Sequence, residues 1–278
     1  MLTKYNWYVG SLQERFNNPF GNCTVEINPY PFQKVEFVEA AENAAKQISE
    51  DYSNLYLALS GGLDSEYTLR VFYKLGIPIK PVIGSFCNDE ETRYAYKVCK
   101  ELNIEPIVLN INREEFIDYF YREIYLKLNG MGRNTTQACF VAKYVHKNGG
   151  VLVTGDHING HGDEMVTKDA CAVANEWDFY ISTLFPNLVN VDLFMYTPQC
   201  VYSMIPHKEE HFNMTWNHYR AQLYNIPSRA KVKPSYDENF LKFYRSLNNL
   251  NSQKNCNPIR NFKWSQDELS KIFNNYVR

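Results

Sequence analysis

No apolar run in this 278-residue chain approaches the ~20 residues that a membrane-spanning helix needs. Charge of one sign is lacking as well. Lys and Arg number 29 against 31 Asp and Glu, a net charge of −2. That balance argues against a broad nucleic-acid footprint, while leaving room for a local basic patch. The seven cysteines (Cys23, Cys87, Cys99, Cys139, Cys171, Cys200 and Cys256) contain no C-x-x-C pair. An odd, dispersed set makes a poor disulfide framework and a poor zinc cluster. It reads as mostly reduced, buried thiols. The opening MLTKYNWYVG has no long apolar segment behind a basic end, so a secretory leader is not expected and the expected location is cytoplasmic. No internal repeat and no low-complexity tract is found.

What is present is an ordinary globular balance, 45% hydrophobic and 22% charged, with aromatics at 15%. The length allows one large domain or two. Residues 1–35 are rich in aromatics, Pro and Asn, and "CTVEINPYPFQKVEFV" alternates like a strand or hairpin. From Val38 to Tyr52 the period turns helical, with Ala40, Ala41, Ala44, Ala45 and Ile48 on one face. Strands are then expected at Leu55–Leu59, Ile79–Phe86, Ile104–Ile111 and Val151–Asp156. Helices are expected at Asp64–Leu75, Glu90–Leu102, Glu114–Leu128 and Thr135–Lys147. Such alternation predicts an α/β fold, a parallel sheet covered by helices in three layers. Residues 178–205 are apolar and hard to assign. Pro206 to Tyr224 reads as one helix, with Pro first, two acids in the first turn, and Phe212, Trp216, Tyr219 and Leu223 at 3–4 spacing. The expected organisation is an N-terminal extension over 1–35, a core domain over 36–170 and a mainly helical part over 171–278.

Ligands of parallel sheets bind beyond the carboxyl ends of the strands. Three loops lie there: Ser60–Ser65, Ser85–Glu91 and Gly155–Glu164. The first, Ser60-Gly61-Gly62-Leu63-Asp64-Ser65, carries the chemistry. A strand exit that feeds a helix start presents unpaired N–H groups and the positive end of the helix dipole, an anion site. Gly61 and Gly62 allow backbone angles closed to other residues and let an anion approach the main chain. Ser60 and Ser65 add hydroxyl donors. Asp64 repels phosphate directly, so it makes sense as a ligand for Mg²⁺ bridging to phosphate oxygens. The loop has neither the lysine nor the length of G-x-x-x-x-G-K-[ST], and it is not G-x-G-x-x-G.

This hexapeptide resembles the PP-loop, S-G-G-x-D-S, of the N-type ATP pyrophosphatases, the adenine nucleotide alpha-hydrolase superfamily. All six positions match. The resemblance covers residues 36–170 well, the remainder weakly, and lies nearest the synthetase domain of asparagine synthetase. It implies that the loop holds the β,γ-pyrophosphate of ATP while a substrate oxygen attacks the α-phosphate, giving an adenylate and releasing pyrophosphate. ATP and Mg²⁺ are therefore the expected cofactors. An amine or ammonia would then displace AMP from a small carboxylate or amide acceptor. With Met-Leu-Thr at the start, a cysteine-led glutaminase is not expected, so ammonia, another amine or a separate amidotransferase subunit would serve. Oligomeric state is left open, a homodimer included. The rivals are a tRNA- or nucleobase-modifying PP-loop enzyme and a non-catalytic nucleotide-binding relative; the missing C-x-x-C counts against thiolation.

The resemblance extends to the other loops. Ser85 and Asn88 would help wall the adenosine pocket; Asn88 read alone is a helix cap with acids behind it. In "TGDHINGHGDEMV", Gly160-His161-Gly162-Asp163-Glu164 is one residue short of the G-x-G-x-D-E string of asparagine synthetase-like members. Gly155 and Asp156 are assigned to the nucleotide, and Asp163 joins Asp64 as the metal pair. A cation to stabilise the leaving pyrophosphate must come from outside the loop. Lys231 and Lys233 are the chosen candidates, with Arg229 and Arg133 as alternatives. His207 to His211 fits H-x-x-E-H, but a Pro and two acids also begin an ordinary helix, and no third ligand is evident. Trp216 and Tyr219 are expected in the core, and Cys139 is expected to be a buried helix thiol.

Overall fold

Strand and helix alternate from Phe37 onward, as the periodicity requires. The computed structural model describes residues 2–5, 7–11, 24–86, 89–125, 133–155, 164–167, 171–172, 181–206, 208–228, 242, 263–264 and 266–278. At the N-terminus β1 (Leu2–Tyr5), β2 (Tyr8–Ser11) and β3 (Thr24–Ile27) pair antiparallel in that order; of the alternating stretch 23–38, Thr24–Ile27 is the part that forms a strand. Next come α1 (Phe37–Asp51), β4 (Leu55–Ala58), α2 (Leu63–Lys74), β5 (Lys80–Ser85), α3 (Asp89–Glu101) and β6 (Ile107–Asn110). These are followed by α4 (Arg113–Tyr119), α5 (Arg133–Lys147), β7 (Val151–Thr154), the two-residue β8 (Cys171–Ala172) and β9 (Asn190–Asp192). Last are α6 (Pro198–Ser203), α7 (Trp216–Tyr224), β10 (Lys263–Trp264), which pairs with β8, and α8 (Gln266–Asn274).

The central sheet has the order β6-β5-β4-β7-β9, and each neighbouring pair is parallel. Period-2 alternation explains its two buried faces. Leu55, Leu57, Ile83, Val153 and Val191 join one core, with the alanine face of α1, the apolar side of α2, and Trp216, Tyr219 and Tyr224 of α7. Tyr56, Val82 and Leu152 point the other way, into a second core with Phe116 of α4 and Cys139, Val141 and Val145 of α5. Helices therefore cover both faces, as expected. No described helix is long and apolar enough to cross a membrane.

The order matters for the site. From β4 the chain winds outward through β5 to β6, then returns to the other side of β4 with β7 and β9. The reversal point is the carboxyl end of β4, where open parallel sheets form their crevice.

Beyond residue 113 two expected helices change and one unassigned stretch resolves. The helix expected over Glu114–Leu128 is α4, started by Asn112, whose Oδ1 accepts the Glu115 N–H at 2.8 Å; it then widens into a π-helical turn, Phe120–Tyr125. Residues 178–205 supply a fifth parallel strand, β9, so the sheet takes a member from beyond residue 170. The single helix expected over Pro206–Tyr224 is a 3-10 turn, Glu209–Asn213, followed by α7. Thr215 makes the break: its side chain accepts the His218 N–H, which is an N-cap placed inside the apolar stretch.

Candidate functional site

The hexapeptide Ser60–Ser65 sits at the carboxyl end of β4 and opens α2, at the reversal point. Gly61 has a φ of 83°, a left-handed conformation that a side chain disfavours. Gly62 is the N-cap of α2, and no side chain caps it. The two serines face one another: Ser60 Oγ lies 3.1 Å from Ser65 Oγ, Ser60 Oγ accepts the Gly62 N–H at 3.3 Å, and Ser65 Oγ donates to Gly62 O at 3.2 Å. In this state the hydroxyls stiffen the loop. Leu63 turns inward and is buried, anchoring the first turn of α2 in the core.

Asp64 meets α7. Tyr224 Oη donates to Asp64 Oδ1 at 2.7 Å, and Arg220 Nη1 lies 3.7 Å from Asp64 Oδ2. Burial, then the Asp64 charge, push the Tyr224 phenol well above its ordinary value, so it stays protonated and donates across the physiological range. Its ring is held by a pillar of aromatics. Tyr67 stacks on it at 4.5 Å, Phe194 lies parallel at 5.6 Å, and Phe37 leans in at 5.5 Å. Phe194 is itself fixed by Asp192 at the end of β9. That fully buried carboxylate accepts the Phe194 and Met195 N–H groups and, at 2.8 Å, the Thr154 hydroxyl. A chain of contacts thus runs from the sheet rim through Phe194 and Tyr224 to Asp64.

Gly155, directly after β7, closes against the loop. A Cβ built there would lie 2.3 Å from Thr68 Oγ1 and 3.0 Å from the Asp64 carbonyl oxygen. Only glycine lets β7 exit this close to α2. The sequence assigned Gly155 to the nucleotide; the structure places it against the backbone of Asp64. Ser85 ends β5 on the same rim. Phe86 behind it is buried and stacked on Phe116 at 4.0 Å, so a ring fills that strand exit. Asn88, Asp156, Asp163, Lys231 and Lys233 lie outside the described residues, as do Arg229, His157, His161 and His207. His211 is in the 3-10 turn against Tyr219, 4.9 Å between ring centroids, with burial lowering its pKa. That turn lacks the regular i,i+4 face on which the zinc string depends.

Arg220, Tyr224 and Asp192 were not singled out from the sequence. A signal existed for two of them. Trp216, Arg220 and Tyr224 recur every four residues, so the arginine stands in an otherwise aromatic stripe. Trp216 and Tyr219 are buried, as expected of core residues. So is Cys139, whose thiol burial pushes up to about 12; Cys99 and Cys200 are likewise free and buried.

The residues present fit a polyphosphate: an uncapped helix start, a left-handed glycine, and a buried guanidinium beside the first turn. For a divalent cation the fit is partial. Asp64 is the carboxylate of the loop itself, and no group of three or more His, Cys, Asp or Glu that could hold a metal occurs among the described residues. A separate groove of about 440 Å³ lies between α1, α2 and the end of α7. It shares Tyr67 and Tyr224 with the site and touches none of residues 60–65.

No protein-family model matches the chain, and no curated protein does. Among solved structures it is similar to NMN synthetase from Francisella tularensis, with a TM-score of 0.44 and 14% identity over 87% of this chain and 94% of that one. It is similar to an NH3-dependent NAD synthetase from Campylobacter jejuni in complex with the nitrate ion, with a TM-score of 0.36 and 15% identity over 87% and 95%. It is similar also to a predicted subunit of tRNA methyltransferase from Methanocaldococcus jannaschii, with a TM-score of 0.38 and 13% identity over 76% and 95%.

Proposed function

We propose that this chain is an ATP-dependent adenylating enzyme of the PP-loop type, converting ATP to AMP and pyrophosphate while activating an acceptor oxygen. One observation carries the reading. Ser60-Gly61-Gly62-Leu63-Asp64-Ser65 opens a 12-residue helix at the carboxyl end of the sheet's middle strand, where the strand order reverses, with Gly61 left-handed. A terminal pyrophosphate is the anion such a loop suits, because successive N–H groups and the helix dipole converge there.

In this mechanism residues 60–65 hold the β,γ-pyrophosphate. The acceptor oxygen attacks the α-phosphorus in line, and the bond to the bridging oxygen breaks. Negative charge builds on the departing pyrophosphate, so fixed N–H groups at α2 and nearby cations lower the barrier. Lys231 and Lys233 remain proposed for that charge. Asp64, with Asp163 or Asp156, would hold Mg²⁺, which when bound supplies charge neutralisation between phosphate oxygens. The adenylated acceptor, a small carboxylate or amide, is then attacked by an amine or by ammonia, from solution or from a separate amidotransferase subunit. This is asparagine synthetase-like amide formation.

The test is pyrophosphate release from ATP across a panel of small acids and amino acids with ammonium present. Release that depends on one acid supports amide synthesis. Release that depends on tRNA moves the assignment to a nucleic-acid-modifying enzyme. ATP binding without release across both sets makes the chain a non-catalytic nucleotide binder.

A further inference from the structure

The Arg220 guanidinium is short of partners. Arg220 is 3% exposed, on α7. Of its five N–H donors, the one contact within hydrogen-bond distance is Nη2 to Asn217 Oδ1, at 3.2 Å. Nη1 points at Asp64 Oδ2 from 3.7 Å, too long for a hydrogen bond. Nε and Nη1 are both buried without an acceptor. Asp64 meanwhile takes its short bond from Tyr224, so its charge is shared. Burying a guanidinium half-used is costly, and such groups in native structures mark a strain reservoir or a missing ligand. Here the unused Nη1 lies beside the first turn of α2, next to a helix start that no side chain caps. Those two features converge on one kind of ligand, an oxyanion that accepts from the guanidinium and from the helix start together.

We propose that Arg220 is a binding residue for the polyphosphate, a cation held in reserve against Asp64 and presented through Nη1 to a phosphate oxygen that arrives at the first turn of α2. This deepens the PP-loop reading and rests on it. It differs from the expectation that cations arrive from residues 229–233. It also explains the pairing: Asp64 neutralises the guanidinium while no phosphate is there to do so. Tyr224 then holds Asp64 in the resting position.

The test is titration calorimetry of inorganic pyrophosphate into the full chain with EDTA present, so that no metal contributes. Wild type should bind. Arg220→Met should weaken binding by about tenfold to a hundredfold. Arg220→Lys should fall between, since it keeps the charge and loses the planar, fixed donors. The second readout is the rise in melting temperature on saturating pyrophosphate. It should shrink in both variants, whereas a merely structural arginine would lower the starting melting temperature and leave the rise unchanged. If Arg220→Met does not fold, Arg220→Lys with both readouts decides. Pyrophosphate affinity within twofold of wild type in the folded variants overturns the role of Arg220 and leaves the loop's role standing. A wild-type chain that binds no pyrophosphate overturns the PP-loop reading itself.

Discussion

Helices α2 and α7 meet at Asp64, yet they begin in opposite ways. α7 opens on Thr215, whose hydroxyl accepts the His218 N–H, so its first turn is satisfied within the chain. α4 and α6 do the same with Asn112 and Thr197. α2 opens on Gly62 with no side-chain cap, although two serines stand beside it. α1 also lacks a side-chain cap, but it starts away from the strand reversal and has no left-handed glycine before it. A helix start that ignores available caps at the mouth of the central strand has the N–H groups that an outside anion would need. α7 seals itself because its task is different: it carries Tyr224 and Arg220 to Asp64.

The sharpest way to break this comparison is at the contact itself. Asp64→Asn keeps the shape and removes the charge. If the carboxylate positions the metal and phosphates, pyrophosphate release should fall by about 10²–10³-fold. The variant also leaves the buried Arg220 without its counter-charge, a stability cost of up to about 3–5 kcal/mol. Rates should therefore be compared at a temperature where melting curves show both proteins folded. Turnover at the wild-type rate would remove Asp64 from the chemistry.

Gly155→Ala tests the approach of β7 to α2. Its Cβ would meet Thr68 Oγ1 at 2.3 Å and the Asp64 carbonyl at 3.0 Å, and neither contact is a yielding side-chain tip. Overpacking of this kind costs about 1–3 kcal/mol. Because the obstacles are the Thr68 hydroxyl and, next to it, the backbone of Asp64, nucleotide affinity should fall together with the melting temperature. A drop in stability alone would mean that the loop absorbs the displacement without moving its N–H groups.

Gly62→Asn should separate the two quantities. The position has φ −72° and ψ 163°, open to any residue, and a Cβ there meets Ser60 Oγ at an ordinary 3.4 Å. Asparagine would cap α2 from within the chain and stabilise it by a few tenths of a kcal/mol. It would also occupy the N–H groups that the anion needs. Thermal melts should be unchanged or slightly higher while pyrophosphate affinity falls about tenfold. Undiminished affinity in calorimetry would show that the first turn of α2 is not where the anion binds.

How much of this was readable beforehand follows from range. α1, β4, α2, β5 and β7 were legible because each carries its own period and its own stop signals. The hexapeptide was legible because six consecutive residues hold a complete local chemistry. β9 was not: three residues, Asn190–Asp192, are too few to show a period, and they become a strand only by pairing with β7. The clamp on Asp64 was not readable either, since Tyr224 lies 160 positions away and α7 is placed by its buried aromatics. The break before α7 was missed for a local reason. Thr215 followed by a polar residue three places on also occurs inside helices, and the apolar spacing across it continued without a fault.

Thr215→Ala gives the smallest effect and completes the contrast. It removes the cap that seals α7, a loss of about 1 kcal/mol, which for a chain of this size is a fall of roughly 2–4 °C in melting temperature. Trp216, Tyr219 and Tyr224 are all buried, and Tyr219 Oη also donates to Met204 O at 2.9 Å. These contacts hold α7 in place after its first turn frays, so Tyr224 and Arg220 should still reach Asp64. Pyrophosphate affinity should then match wild type in the same calorimetric assay. Capping α2 is expected to cost binding without stability, and uncapping α7 to cost stability without binding. If Thr215→Ala weakens pyrophosphate as strongly as Gly62→Asn does, the start of α7 is part of the anion site, and the division of labour between the two helices is wrong.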